Sequence, residues 1–243
     1  MAIAIMLIRV IKLLGLLFVA GNTQAASFSV KPTRIFFKDV HQTVLTVGNA
    51  GDKEVFIQTE LMTWAQQEGK DVYTSSRDVL VSPPMFKVPA GGEQTVRIRF
   101  LGDKSTKVER TYRLFLQEVP QQSKSDQATI SATLKMGVPI FIQPEKSDSA
   151  QFDWRVMHSA EGATVQVSNT TNSHIQFTAL KLSAQSGEVL SDEKVFVYVL
   201  PGQIYRWNVK LKKPLPKGKL LLQANSDRDE IKVEIEADFV AVP

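Results

Sequence analysis

The 243-residue sequence contains no cysteine and only three histidines. A chain without cysteine has no disulfide framework, no thiolate nucleophile and no thiolate metal ligand. His41, His158 and His174 are isolated, and none stands at metal-ligand spacing from another histidine or from a pair of carboxylates. We interpret each as a turn or surface residue, and we expect neither a metal site nor a cofactor.

Motifs of catalysis are also absent. No G-x-S-x-G, H-E-x-x-H or phosphate-binding glycine loop occurs, and Gly91-Gly92 lies between two strand-like segments, which indicates a turn. The acidic run Asp227–Glu230 lacks the ligand spacing of a calcium loop, and we interpret it as a solvated hairpin tip. A hydrolase would need a nucleophile and a base, so the sequence does not favour an enzyme.

Long basic tracts and amphipathic helical patterns are missing as well. The chain carries 29 basic and 25 acidic residues, and removing Arg9 and Lys12 with the N-terminal segment discussed next leaves 27 basic residues, a balance of +2. Nucleic-acid-binding domains concentrate positive charge on one face or tail. The sequence therefore does not favour a nucleic acid partner.

The N-terminus has the pattern of a secretory signal. Arg9 and Lys12 precede the apolar run Leu13–Ala20, and small residues follow up to Ala25. A membrane anchor is the competing interpretation, but a span needs ~20 apolar residues, and this run is shorter. We expect residues 1–25 to be cleaved, with cleavage after Ala26 as the alternative, which leaves an exported chain without a membrane span.

The rest of the chain is strand-like. Glu93–Phe100 alternates polar and apolar residues, Thr111–Pro120 does the same, and turn signals separate such segments at short intervals. This pattern is typical of immunoglobulin-like sandwiches. The polar segment Pro144–Ala150 interrupts it as a linker. We therefore predict an all-β fold of two immunoglobulin-like β-sandwich domains, over residues 26–145 and 146–243.

The longest alternating stretch is Ala128–Pro144, with apolar side chains at every even position from Ile130 to Ile142. Gly137 and Pro139 fit poorly in the middle of a buried sheet, so they predict an edge, a bulge or a break after Met136. An apolar edge strand invites pairing with another chain. Such a strand is either half-buried in its own sandwich, which the alternation alone favours, or it is the segment by which the protein functions, through pairing with another chain.

Five features together resemble the PapD-like periplasmic chaperones of the chaperone–usher pilus pathway, and they span most of the first domain. They are Pro32-Thr33-Arg34, Asn49, the run from Pro83-Pro84 through Pro89 and Gly91 to Gln94-x-Val96-Arg97, Tyr112–Pro120, and the long strand closing on Pro144.

The resemblance implies a boomerang arrangement of the two sandwiches and a periplasmic location. It also implies a function without catalysis: the chaperone binds a pilin subunit, lends it a strand, and delivers it to an outer-membrane usher. The donor side chains implied are Ile130, Ala132, Leu134, Met136 and Val138. Whether the free protein caps this strand by dimerising stays open.

The resemblance further implies a basic pair that holds the subunit's C-terminal carboxylate. Arg34 matches the first member, and a guanidinium can bind a carboxylate through two parallel hydrogen bonds. The second is a lysine in the family, at a position where this chain has Pro139. Lys135 and Arg113 are the substitutes, each with an ordinary exposed position as its alternative interpretation. This departure suggests a divergent branch of the family, with the archaic type as one candidate.

One alternative from another class is an exported two-domain adhesive protein that binds a carbohydrate or a surface receptor. Such a protein would use surface aromatic residues such as Trp64 or Trp154. We expect both tryptophans to pack in the core instead, because large aromatic side chains dominate cores.

Overall fold

The computed structural model describes residues 28–38, 40–103, 105–120, 133–149, 151–159 and 162–238. These residues form strands and connecting segments, with no helix among them, so none of them supplies a helix that could cross a membrane. The predicted signal, residues 1–25, lies outside the described residues.

Ten strands precede the predicted linker: β1 Phe28–Lys31, β2 Ile35–Phe37, β3 Gln42–Asn49, β4 Val55–Gln67, β5 Lys70–Ser75, β6 Val79–Ser82, β7 Met85–Val88, β8 Glu93–Phe100, β9 Arg110–Glu118 and β10 Lys135–Ile142. Seven follow it: β11 Phe152–Ser159, β12 Gly162–Asn169, β13 Ile175–Ala184, β14 Val189–Val199, β15 Ile204–Val209, β16 Lys219–Ser226 and β17 Glu230–Asp238.

The first ten strands form two sheets around one core. One sheet has the order β1-β3-β8-β6, and the other has the order β2-β10-β9-β4-β5, with β7 paired to β4. Alternation assigns the faces, since β8 buries Val96, Ile98 and Phe100 and exposes Arg97 and Arg99. Burial of each such apolar side chain contributes roughly 1.5–3 kcal/mol, so the pattern fixes which face of each sheet turns inward.

The last seven strands form one continuous sheet with a core of its own. Its order is β14-β13-β16-β17-β11-β12-β15, and its two halves are joined by a short parallel pairing at Val156↔Ala237 and Met157↔Asp238. Phe177, Leu182 and Leu222 are fully or almost fully buried in its core. Among the described strands, none pairs with a strand of the other group. The boundary at residue 145 stays a prediction.

Strand β10 differs in two respects from the predicted stretch Ala128–Pro144. It begins at Lys135, and residues 128–132 lie outside the described part. No break occurs after Met136, because β10 pairs with β9 in one register from Lys135↔Gln117 to Ile142↔Arg110.

The predicted edge is present over part of this strand. Residues 140–142 of β10 also pair with β2 in parallel. Over residues 135–139 the described strands pair with β10 on the β9 side only. One end of β10 is therefore central in its sheet, and the other end is an edge.

Candidate binding cleft

The even positions of β10 face the core of the first domain. Leu134 and Met136 are half-buried and pack against that core, at the end of the strand where the edge is open. Ile130 and Ala132 lie outside the described residues. Val138 is 2% exposed and is part of the core itself, whereas Leu134 and Met136 keep exposed surface, and the role of Val138 as a donor stays a prediction.

The odd positions of β10 and β9 form the opposite, outer face of the same sheet. Gly137 stands opposite Phe115, and Pro139 stands opposite Arg113. A Cβ atom on Gly137 would lie 3.1 Å from Arg113 Cδ and 3.1 Å from Phe115 Cε1. The glycine therefore leaves room for the aliphatic part of the Arg113 side chain beside β10. This accounts for a residue that is otherwise a poor strand former.

Arg113 is largely buried on this outer face, with 12% of its side chain exposed. Its guanidinium carbon lies 3.9 Å from the ring centroid of Trp64 and 5.8 Å from that of Tyr198. Its Nε is buried and finds no hydrogen-bond partner among the described residues. An aromatic face stabilises a desolvated cation, so Arg113 is held in place with an N–H group still unpartnered.

The acidic neighbour of Arg113 is only distantly paired with it. Arg113 Nη2 lies 4.0 Å from Asp71 Oδ2. The same carboxylate accepts hydrogen bonds from the Tyr73 hydroxyl at 3.0 Å and from Gln66 Nε2 at 3.1 Å. Burial raises the pKa of Tyr73, and the charge of Arg113 opposes that rise. Asp71 therefore balances Arg113 electrostatically without occupying its donors at close range.

Lys135 lies further along the same face. Its ammonium is 4.5 Å from the centroid of Phe115 and 3.8 Å from Glu60 Oε2, and its side chain is 47% exposed. Arg113 and Lys135 thus lie on one face of the sheet, and both are close to Phe115, which stands opposite Gly137.

Arg34 takes a different position, because it reaches the second domain. Its Nη1 donates to Asp227 Oδ2 at 2.8 Å and to Gln176 Oε1 at 3.3 Å. Burial raises the pKa of Tyr198, while the charges of Arg34 and Arg113 lower it and that of Asp227 raises it. Tyr198 therefore lies near both arginines, and the part of the domain junction that carries these side chains is called the cleft below.

Trp64 and Phe141 pack on Leu200 in a small core between the domains. Gln66 makes two hydrogen bonds across the same junction. Its Nε2 donates to the Tyr198 carbonyl at 2.9 Å, and its Oε1 accepts from Leu200 N at 3.0 Å. The expectation of core packing is confirmed for Trp64, at 2% exposed. Trp154 is half-buried against the second core.

A buried histidine–carboxylate pair lies beside this cluster. His174 Nδ1 lies 2.6 Å from Glu109 Oε1, with side-chain exposures of 2% and 1%. The His174 ring also stacks on Phe141 at 3.6 Å between centroids. The interpretation of His174 as a turn or surface residue is therefore wrong, because packing between two domains cannot be seen from its neighbours in sequence.

Asp227 was likewise expected at a solvated tip. It lies in the turn between β16 and β17, yet its side chain is 13% exposed and bonded to Arg34. The sequence offers little that would have identified His174 and Asp227 as junction residues. Both lie in polar loops, where no strand alternation indicates which side chains are buried. Among the described residues, no group of three or more His, Asp or Glu could hold a metal ion.

Comparison with known proteins supplies the family. A family described as pili and flagellar-assembly chaperone, PapD N-terminal domain, matches residues 27–148, which is half of the chain. The chain belongs to this family. Comparison with curated proteins found no match.

Solved chaperone structures resemble the whole fold of this family member. A chain of the CsuC–CsuE chaperone–tip adhesion subunit pre-assembly complex, from archaic chaperone-usher Csu pili of Acinetobacter baumannii, is 20% identical, with a TM-score of 0.63, over 88% of this chain and 100% of that one. A chain of the SafA pilin–SafB chaperone complex of Salmonella enterica is 17% identical, with a TM-score of 0.61, over 87% and 97%.

The CupB2 chaperone of Pseudomonas aeruginosa is 17% identical, with a TM-score of 0.58, over 86% of this chain and 100% of that one. At these identities the likeness concerns the fold. The predicted all-β fold of two immunoglobulin-like sandwiches is thereby confirmed.

Proposed function

We propose that this protein is a periplasmic chaperone that binds pilus subunits by donor-strand complementation and delivers them to an outer-membrane usher. The observation that carries the proposal is the open edge of β10 over residues 135–139. A strand edge presents unpaired N–H and C=O groups to any incomplete sheet. A subunit whose sandwich lacks a strand offers the complementary edge, and strand addition is an established mode of recognition.

Side chains next to this edge supply the apolar part of the interaction. Leu134 and Met136 are half-buried against the core of the first domain, so each keeps apolar surface for a second core. Filling a groove with one such side chain contributes ~1.5–3 kcal/mol. Ile130 and Ala132 have the same parity in the sequence, and we propose that they extend the donor row.

Arg113 is the anchor that we propose for the C-terminal carboxylate of the subunit. It is the arginine whose Nε lacks a partner among the described residues, and Trp64 and Tyr198 flank it. A charge-assisted hydrogen bond in such a site is about twice as strong as a neutral one. Lys135, on the same face and more exposed, adds long-range attraction for the carboxylate.

Two of the solved relatives contain subunits, one a tip adhesion subunit and the other a pilin, and this supports a pilus subunit as the partner here. The adhesive alternative finds less support, because Trp64 and Trp154 are buried or half-buried and do not form a sugar-stacking platform.

A capture experiment tests the proposal. The tagged mature chain is expressed in the periplasm with the exported proteins of its own host, and co-purifying proteins are identified. We expect a small β-rich subunit with wild type, and its loss with Arg113→Ala. Arg97→Ala is the matched control, since Arg97 is an exposed arginine on the other sheet of the same domain.

The outcomes of this experiment distinguish the proposed chaperone function from the proposed role of Arg113 as the anchor. Failure of the well-folded wild type to capture any subunit would reject the chaperone function. Undiminished capture by Arg113→Ala would retain the function and move the anchor to Arg34 or Lys135. Equal loss with Arg97→Ala would show that removal of any positive charge is sufficient, which would reject a specific anchor.

A further inference from the structure

A short loop at one end of the second domain concentrates lysine. It covers residues 210–218 and connects β15 to β16. Together with the first residue of β16, it carries five lysines in ten residues and neither aspartate nor glutamate. All five side chains are exposed: Lys210, Lys212, Lys213, Lys217 and Lys219. This lysine loop is therefore a local positive surface on a chain whose basic and acidic residues nearly balance.

Packing and hydrogen bonding fix the shape of the lysine loop. Leu215 is 8% exposed and belongs to the core of the second domain, and Leu211 packs against that core. The N–H of Lys212 donates to the Leu190 carbonyl at 2.9 Å. A proline on each side of Leu215 restricts the backbone further. The lysines are thus presented from a loop of defined conformation.

Only part of this positive charge is neutralised within the chain. Two of the five lysines are paired, one with Glu188 and one with Glu234. Glu193 also lies beside the loop, but its carboxylate accepts the backbone N–H of Lys210 at 3.2 Å. In the described part of the chain, the other three lysines have no ion pair. Their ammonium groups are available to an external anion.

The lysine loop lies at the end of the second domain opposite the junction with the first. His174, at the junction, directly precedes β13. The ten residues of β13 span ~30 Å, and Ala184 at their far end stands opposite Leu220 of β16. The loop that leads into β16 is therefore at this far end. A partner bound there does not compete with one bound in the cleft.

The chemistry of the loop favours an anionic membrane surface over a protein interface. All of its basic residues are lysines, which act as point charges, whereas arginine has the planar donor fork suited to specific carboxylate and phosphate recognition. Lysine is also depleted in protein–protein interfaces, whose centres are apolar, and both leucines of the loop pack inward. Each lysine near an anionic lipid surface strengthens binding roughly fivefold, so three unpaired lysines suffice for weak binding.

We propose that the lysine loop docks the second domain on an anionic membrane surface, by attraction between its ammonium groups and lipid phosphates. The contact is electrostatic and reversible, because no apolar side chain of the loop is exposed for insertion. The inference does not rest on the proposed chaperone function, since it concerns the end of the chain that is remote from the cleft.

Vesicle flotation of the purified mature chain tests the proposal. Vesicles of phosphatidylcholine alone are compared with vesicles made from equal parts of phosphatidylcholine and phosphatidylglycerol. We expect binding to the mixed vesicles at low salt and its loss at high salt, because salt screens exposed charges. Lys210→Gln/Lys212→Gln/Lys217→Gln is expected to weaken this binding about tenfold to a hundredfold. Absence of wild-type binding, or equal binding to both kinds of vesicle, overturns the inference.

The matched control removes the same amount of charge from the first domain. Lys31→Gln/Lys53→Gln/Lys107→Gln replaces three exposed lysines there, and we expect it to keep most of the vesicle binding. Equal losses in the two triple variants would show that only the net charge matters, which overturns the inference. Duplex DNA is added as a competitor at the same phosphate concentration as the vesicles. Retention on the vesicles supports a membrane surface, and complete displacement overturns it in favour of a nucleic acid.

Discussion

Gly137 and Arg113 illustrate how one small residue determines the position of a large one. The Arg113 side chain lies against Gly137, where a Cβ atom would come within 3.1 Å of Arg113 Cδ, and its guanidinium lies over Trp64. The sequence indicated that Gly137 was unusual for a strand. It could not indicate that the neighbouring strand uses the vacant space, because the register of β9 against β10 comes from pairing across the connecting loop.

Gly137→Val is predicted to displace Arg113 and to weaken subunit capture. The added side chain would overlap Arg113 Cδ and Phe115 Cε1, and overpacking of this kind costs ~1–3 kcal/mol. Capture and urea denaturation are measured together. Gln117→Val, a β-branched substitution on the exposed part of β9, is the control, and capture lowered equally by both variants would contradict the prediction.

The environment of Tyr112 predicts that the free energy of unfolding falls at alkaline pH. Burial raises its pKa, and the hydrogen bond that its hydroxyl donates to Asp78 at 2.8 Å adds to the effect. The unfolded chain ionises this phenol near its ordinary pKa of 10.0, whereas the folded chain keeps it neutral to higher pH. Its contribution to the free energy of unfolding is therefore full below pH 10 and is lost as the pH rises further.

The measurement is urea denaturation at pH 8 and above pH 10. We expect the loss of stability between the two to be smaller in Tyr112→Phe than in wild type. Tyr205→Phe removes a phenol from the second domain and controls for general effects. An unchanged loss in Tyr112→Phe would contradict the prediction.

At the scale of the element, one end of strand β10 lies in the core of the first domain and the other end lies at the edge of its sheet. Ile140 and Ile142 complete the core of the first domain, while residues 135–139 leave one edge open. Period-2 alternation predicted the apolar face correctly, since side chains alternate across any strand. It could not distinguish Val138, which is buried, from Met136, which is half-buried, because both have the same parity.

Leu134→Asp is predicted to abolish subunit capture while the chain stays folded. A carboxylate placed in an apolar groove is strongly disfavoured, and Leu134 is only partly buried in its own domain. Capture and thermal unfolding are measured with Val138→Asp beside it. Val138→Asp should instead unfold the domain, and retention of capture by Leu134→Asp would exclude the side chain as a donor.

The same edge bears on whether the free protein caps its own strand by dimerising, which the sequence leaves open. Sedimentation of the mature chain at rising concentration tests it. We expect any dimer to dissociate in Leu134→Asp and when subunit is added. A dimer that persists under both conditions would have to use another surface.

At the scale of the whole molecule, several contacts join the domains. They include the cluster of Trp64, Phe141 and Leu200 and the hydrogen-bonded pair of Glu109 with His174. The guanidinium of Arg113 lies against both Trp64 and Tyr198, one from each domain. The geometry of the proposed anchor therefore depends on how the domains are joined.

His174→Ala is predicted to destabilise the protein by ~1–3 kcal/mol, because the buried Glu109 carboxylate loses its imidazole partner and keeps only the N–H of residue 174, which lies 3.0 Å from Glu109 Oε1. Chemical denaturation measures the loss, and small-angle scattering reports any change in the relation of the domains. His41→Ala, an exposed histidine, is the control. A destabilisation no larger than that of the control would show that the pair contributes little.

The sequence by itself determined the strands, the faces they bury and the family resemblance, because these depend on neighbours along the chain and on the two-residue period of a strand. The resemblance also placed Arg34 as one member of a basic pair and offered Arg113 and Lys135 as substitutes for the other. Tertiary structure decided between them in our proposal, since Asp227, Trp64 and Tyr198 approach these arginines from distant parts of the chain. Pairings across such separations carry no local signal, so only the folded chain reveals which arginine holds a carboxylate.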